Sequence, residues 1–68
     1  MFNKHDLVRI IRSTDSIYNH FIGAEGVIIG VRIGYDHPYQ ILFLDDKLRA
    51  EEKADGGILW KDSEIEGV

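Results

Sequence analysis

Gly23-Ala24-Glu25-Gly26-Val27-Ile28-Ile29-Gly30-Val31 is the stretch whose reading decides the fold. Gly23 and Gly26 can take positive φ without a Cβ clash, and the β-branched residues behind them strongly prefer strand, so the chain turns sharply into a strand. Alternation from Val27 to Ile33 sets Val27, Ile29, Val31 and Ile33 on one side, and Ile28, Gly30 and Arg32 on the other. The arginine marks the outer side and predicts the first set as core.

Working outward, His5 to Arg12 reads as a strand with Val8 and Ile10 inward and Leu7, Arg9 and Ile11 outward. Ser13 to Ile22 is rich in turn-forming Ser, Thr, Asp and Asn, yet Ile17, Tyr18, Phe21 and Ile22 are too apolar for a free loop, which predicts an ordered excursion. Downstream, Gly34-Tyr35-Asp36-His37-Pro38 is a turn. Tyr39 to Leu44 is a third strand with Tyr39, Ile41 and Phe43 inward. Ile58 to Trp60 is a fourth strand, Lys61 to Glu64 a tight turn and Ile65 to Val68 a fifth strand. Asp45 to Gly57 reads either as a mobile hairpin loop or as a short helix over Lys47–Ala54. The helix would be capped by Asp45 or Asp46, paired Lys47 to Glu51 and ended by Gly56. The expected inner core is Val8, Ile10, Val27, Ile29, Val31, Ile41, Phe43, Trp60 and Ile65.

With 68 residues there is room for a single domain, residues 1–68, around one modest core. Cysteine is absent, which excludes disulfides and thiolate metal sites and suits a reducing compartment. The amino end has no apolar run like a signal-peptide core, and no segment approaches the ~20 apolar residues of a membrane span, so a cytoplasmic protein without a membrane partner is expected. Net charge is −4, and the excess sits entirely beyond Leu44, where eight acids face four bases. Such an end repels phosphate backbones, which counts against nucleic acid unless Arg9, Arg12 and Arg32 converge on one face.

Asp6-Leu7-Val8-Arg9-Ile10, followed by Gly23-Ala24-Glu25-Gly26-Val27-Ile28, is similar to the strand, glycine-x-x-glycine, strand pattern of KOW units. Trp60-Lys61-Asp62-Ser63-Glu64-Ile65-Glu66 is similar to the ending of many SH3-like barrels. The order of pieces over nearly the whole chain resembles the SH3-like barrel, which implies an all-β, five-stranded fold with at most a short helical turn in 45–57. The Ser13–Ile22 link is longer than in a typical KOW unit, and the charge is opposite to that of its ribosomal members. In both respects the chain resembles the small SH3-like proteins of phages and prophages. That resemblance implies a non-enzymatic module that binds and modulates a cellular protein.

Tyr18, Phe21, Tyr35, Tyr39 and Trp60 flank the loops. The resemblance to SH3 domains, which hold a proline-rich peptide in a groove of loop aromatics, implies such a role for Tyr18, Tyr35 and Trp60; in a core this small Phe21, Tyr39, Phe43 and Trp60 are more often packing residues. If the arginine-bearing faces are outside, Leu7, Ile11, Ile28, Leu42, Leu44 and Leu59 lie outside too. That is an apolar surface for a partner or a second copy, unless loops fold over it. The expected partner-binding set is therefore Tyr18, Phe21, Ile28, Tyr35, Leu42 and Trp60. The alternatives are a KOW-like nucleic-acid binder using Arg9, Arg12 and Arg32, and an inhibitor in which Asp45, Asp46, Glu51, Glu52 and Asp55 imitate nucleic-acid phosphates. His5, His20 and His37 show no metal-ligand spacing, and no serine sits in a nucleophile-elbow pattern. No metal, cofactor or enzymatic activity is expected.

Overall fold

The β-branched run after Gly23 forms the middle of the sheet. A computed structural model covers every residue from Met1 to Val68. It contains β1 (Leu7–Ile10), β2 (Glu25–Val31), β3 (Tyr39–Phe43), β4 (Leu59–Trp60) and β5 (Ile65–Gly67). These pair antiparallel in the order β4-β3-β2-β1-β5, in one sheet that curls into a half-barrel with β4 and β5 at its edges. A 3₁₀ helix over Ser16–Phe21 joins β1 to β2, an α-helix, α1 (Asp46–Ala54), joins β3 to β4, and a second 3₁₀ helix over Asp62–Glu64 leads into β5. The β1–β2 and β3–β4 connections leave the same end of the antiparallel sheet, so the first 3₁₀ helix and α1 meet there. The opposite end carries the amino-terminal turn and the β2–β3 connection. No helix is long and apolar enough to cross a membrane.

Short polar side chains start and stop the connections. Asp15 Oδ1 accepts from the Ile17 N–H at 3.2 Å and opens the first 3₁₀ helix. Of the two candidate caps for α1, Asp45 is the one used: its Oδ1 accepts from the N–H groups of Lys47 (2.8 Å) and Leu48 (3.0 Å), a contribution of about 1 kcal/mol. Gly56 and Gly57, at φ +84° and +99°, turn the chain back so that their N–H groups reach the Lys53 and Glu52 carbonyls. The expected Lys47–Glu51 pair gives way to other partners. Glu51 turns instead to His20, and the ion pair within the helix is Asp46–Arg49.

The buried core comprises Val8, Ile10, Phe21, Ile28, Tyr39, Ile41, Phe43, Ile58, Trp60 and Ile65. On β1 and β3 the inward faces are those expected from alternation, but on β2 they are reversed as far as Ile28. Ile28 is buried, whereas Val27 is half-buried and Ile29 and Val31 are exposed. A β-bulge accounts for Ile28 and Ile29, whereas Val31, beyond it, lies opposite the inward Tyr39 on the expected side and is 38% exposed at the end of β2. Ile28 lies opposite Ile41 and Gly30 opposite Gln40, which leaves Ile29 as an extra residue. A bulge resets the alternation, so Arg32 reports the outer face only for residues beyond it.

Gly26 also plays a different part from the one its turn-like setting implies. Its φ is not positive. It is glycine for room: a Cβ there would lie 2.5 Å from Ile41 Cγ2 and 2.7 Å from the Leu42 carbonyl oxygen. That close approach lets Ile41 cover the β2 backbone. Gly26→Ala is therefore expected to lower the unfolding free energy by about 1–3 kcal/mol in a urea titration, the range for overpacking. A variant as stable as the parent would contradict the tight β2–β3 approach.

Candidate functional site

Three members of the expected partner-binding set are core residues. Phe21, Ile28 and Trp60 are fully or almost fully buried and cannot touch a partner. Phe21 turns inward because the first 3₁₀ helix folds over the open end of the half-barrel, where its ring centroid lies 5.1 Å from that of Phe43 and 5.7 Å from that of Trp60. Ile28 is inward through the bulge, and Trp60 through its pairing with Tyr39. Tyr18 is half-buried beside Trp60, and its hydroxyl donates to Asp55 Oδ2 at 2.7 Å. Tyr35 is exposed, but in the β2–β3 connection at the opposite end of the sheet from Tyr18. The loop aromatics therefore form no common groove. Leu42 alone of the six is an exposed sheet residue.

Around Leu42 the register assembles an apolar surface. Leu42 lies opposite Val27, Val27 opposite Leu7, and the Val68 N–H donates to the Leu7 carbonyl at 3.1 Å. An aliphatic row, Val68–Leu7–Val27–Leu42, thus crosses the sheet on its outer face. Leu7 is 39%, Leu42 41% and Val68 59% exposed. The neighbouring row carries charge. Arg9 lies opposite both Glu25 and Glu66, and its guanidinium donates to Glu25 Oε2 at 2.6 Å and to Glu66 Oε2 at 3.2 Å. The hydrogen bond to Glu25, then that carboxylate's charge, then Glu66 hold the Arg9 pKa above its ordinary value. Leu44, opposite Glu25, ends this row and is exposed. On the β3 side α1 rises beside the face and leaves an open groove of about 590 Å³. Gln40 and Leu42 line it from the sheet, Arg49, Ala50 and Lys53 from the helix, and Gly56 from the turn after the helix.

No protein-family model, curated protein or solved structure matches this chain. The surface must therefore be read from its own chemistry.

The five acids that could imitate phosphates all have partners within the chain. Asp45 caps α1, Asp46 pairs with Arg49, Glu51 with His20, Glu52 Oε2 accepts from the Ile58 N–H at 3.3 Å, and Asp55 accepts from Tyr18. The three arginines do not converge. Arg9 is clamped on the sheet, Arg12 follows β1 at the α1 end, and Arg32 follows β2 at the opposite end. His5, His20 and His37 are on separate elements, and no three His, Asp or Glu side chains gather as a metal site.

One polar residue was missed from the sequence. Glu64 is 3% exposed, and its carboxylate accepts from the Lys61 N–H (2.7 Å), the Thr14 N–H (2.8 Å) and the Thr14 hydroxyl (3.0 Å). Its own carbonyl accepts from Ile11 and Arg12. It staples the start of the first connection to the turn before β5, and every bond replaces hydration lost on burial. The signal was the Lys61-x-x-Glu64 spacing, the glutamate half of a capping box.

Two tyrosines are held protonated beyond their ordinary range. For Tyr18 the main cause is the hydrogen bond to Asp55, followed by burial and the acid's charge. For Tyr39 it is burial, offset by the Phe2 N–H and reinforced by the 2.8 Å hydrogen bond to Asp62. A folded-state pKa above the unfolded value gives stability that is complete below the ordinary tyrosine pKa, about 10, and is lost as pH rises through the folded value. Tyrosinate absorbance is therefore expected to appear at higher pH in the folded chain than in denaturant, and Tyr18→Phe and Tyr39→Phe should each remove part of the late phase. Identical titrations for parent and variants would contradict both hydrogen bonds.

Proposed function

We propose that the half-barrel is an SH3-like barrel acting as a small non-enzymatic protein-interaction module, and that its docking surface is the outer sheet face around Leu42. The strand order β4-β3-β2-β1-β5, the long connection after β1 and the 3₁₀ turn before β5 support the SH3-like assignment. The observation that carries the function is the uncovered aliphatic row Val68–Leu7–Val27–Leu42. Covering such side chains stabilises a complex by about 1.5–3 kcal/mol each before ordering costs, whereas leaving them wet contributes nothing to the monomer. The clamped Arg9, whose charge is met by Glu25 and Glu66, supports this reading over a nucleic-acid binder, and the acids of α1, each held by a partner within the chain, support it over a nucleic-acid mimic. A cytoplasmic, phage- or prophage-type role in modulating a cellular protein belongs to the same proposal and rests on the sequence resemblance.

Affinity capture from a bacterial lysate, with and without nuclease, is the test, run in parallel for the parent, Leu7→Arg and Leu42→Arg, with folding checked by Trp60 fluorescence. One dominant protein should be retained by the parent and lost, by tenfold or more, from both folded variants. Loss of all retained material on nuclease treatment would overturn the reading in favour of a nucleic-acid binder. Equal capture by all three chains would exclude this face.

A further inference from the structure

We infer that the outer face also pairs two copies of this chain, sheet on sheet, about a two-fold axis running along the strands between β1 and β2. The inference rests on reading that face as an interaction surface, and it names a second copy as its occupant. A symmetric dimer of this kind needs a patch that is its own complement under the two-fold.

The register supplies one such axis. A two-fold midway between β1 and β2 exchanges β1 with β2 and β5 with β3. Within the aliphatic row it sets Leu7 of each copy opposite Val27 of the other, and Val68 opposite Leu42. Within the charged row it sets Arg9 of each copy opposite Glu25 of the other, so two intrachain pairs close into a four-membered ring of alternating charge. Other axes along the strands match these residues less well. A two-fold on β1 stacks Arg9 on Arg9, and one between β2 and β3 faces Glu25 with Leu44 so that no Arg9–Glu25 contact crosses the interface, whereas the β1–β2 axis keeps both such contacts and leaves only the outermost pair of that row, Glu66 facing Leu44, unmatched. Sheets packed in this way lie about 10 Å apart with strand directions within roughly 30°, close enough for facing rows to remain in register near the axis.

Shape agrees with charge. Because α1 stands only on the β3 side, the two-fold brings the β5 edge of one copy to the groove of the other and seats Val68 beside Leu42 there. The two helices then border the interface at both sides, which favours a closed pair over a growing stack. A standard interface takes about 800 Å² from each partner. The chain exposes 4358 Å² and measures 26 × 21 × 21 Å, so one broad side supplies roughly that share and little more. Association is accordingly expected to be reversible, with dissociation on dilution in roughly the micromolar range.

Sedimentation equilibrium over micromolar to millimolar concentrations tests this directly. The parent should pass from 7.8 kDa to twice that mass, and Leu42→Glu, folded by circular dichroism, should remain at 7.8 kDa throughout. The axis has its own test. Arg9→Glu and Glu25→Arg should each weaken self-association about tenfold or more, whereas a mixture of the two variants should associate more tightly than either alone, because each then meets opposite charge across the axis. A parent that stays monomeric at every concentration would overturn the dimer, and loss of capture of another protein by Leu42→Arg would still leave the interaction-module reading standing. A dimer that Leu42→Glu does not weaken would place the contact on another face, and a mixture no tighter than its components would rule out this axis.

Discussion

The Phe21 ring, packed between Phe43 and Trp60, is the contact on which the rest of the structure depends. The five-stranded sheet curls but leaves β4 and β5 as separate edges, so its concave side is open at the end where β1 finishes and β2 begins. The connection from Ser13 to Ile22 closes that end by turning Phe21 inward, with Tyr18 leaning on both Phe21 and Trp60. A chain of 68 residues has few other sources of apolar area, and burying one such ring contributes about 1.5–3 kcal/mol, a large share of the stability expected at this size. The long connection is therefore part of the core, and its length follows from the span it must cover.

Once Phe21 is seated, α1 can dock at the same end with little apolar area of its own. None of its residues is buried, and only Leu48 packs partly against the core. What holds it is a set of polar bonds to the surrounding elements: His20 to Glu51, Tyr18 to Asp55, Glu52 to the Ile58 N–H, and Arg49 to the Phe43 carbonyl at 3.2 Å. Such bonds are individually modest in water, so α1 belongs among the less stable parts of the fold. The same bonds, with the Asp45 cap, account for four of the eight acids after Leu44: Asp45, Glu51, Glu52 and Asp55. They are spaced to reach a helix cap, a strand end and the first connection, and their excess charge is a by-product of fastening a helix without a hydrophobic stripe.

How far the sequence was legible depends on whether its signals were local. Tyr39-Gln40-Ile41-Leu42-Phe43 carries its inward face openly, since Gln40 marks the other side; a cap at Asp45 or Asp46 and a stop at Gly56 were legible because each acts over three or four residues, but the choice of Asp45, and of a helix over a loop, was not. The inward face of β2 was not legible, because Ile29 is extra only relative to β3 and no property of Val27-Ile28-Ile29 announces a bulge. That single residue moved Ile28 from the expected docking surface into the core. Glu64 was missed for a related reason. A glutamate in a turn reads as solvated, and its burial is decided by Thr14, fifty positions away in sequence.

The outer face presents a narrower question: whether its aliphatic row is simply what strands prefer. Val27 fits that account, since β-branched residues favour the pleated backbone. Leu7 and Leu42 do not, because leucine has no such preference to be served there. The adjacent row shows what the same strands accept on the same side, for Glu66, Arg9 and Glu25 occupy β5, β1 and β2 and satisfy one another. Two residues along each strand the chain carries Val68, Leu7 and Val27 instead, continued by Leu42 on β3. A fold that can place a charged trio on three neighbouring strands is under no backbone obligation to make the next row wholly aliphatic. The row is centred on the β1–β2 seam, beside a charged row in which Arg9 and Glu25 straddle that seam, so the part of the face nearest the seam matches its own two-fold image.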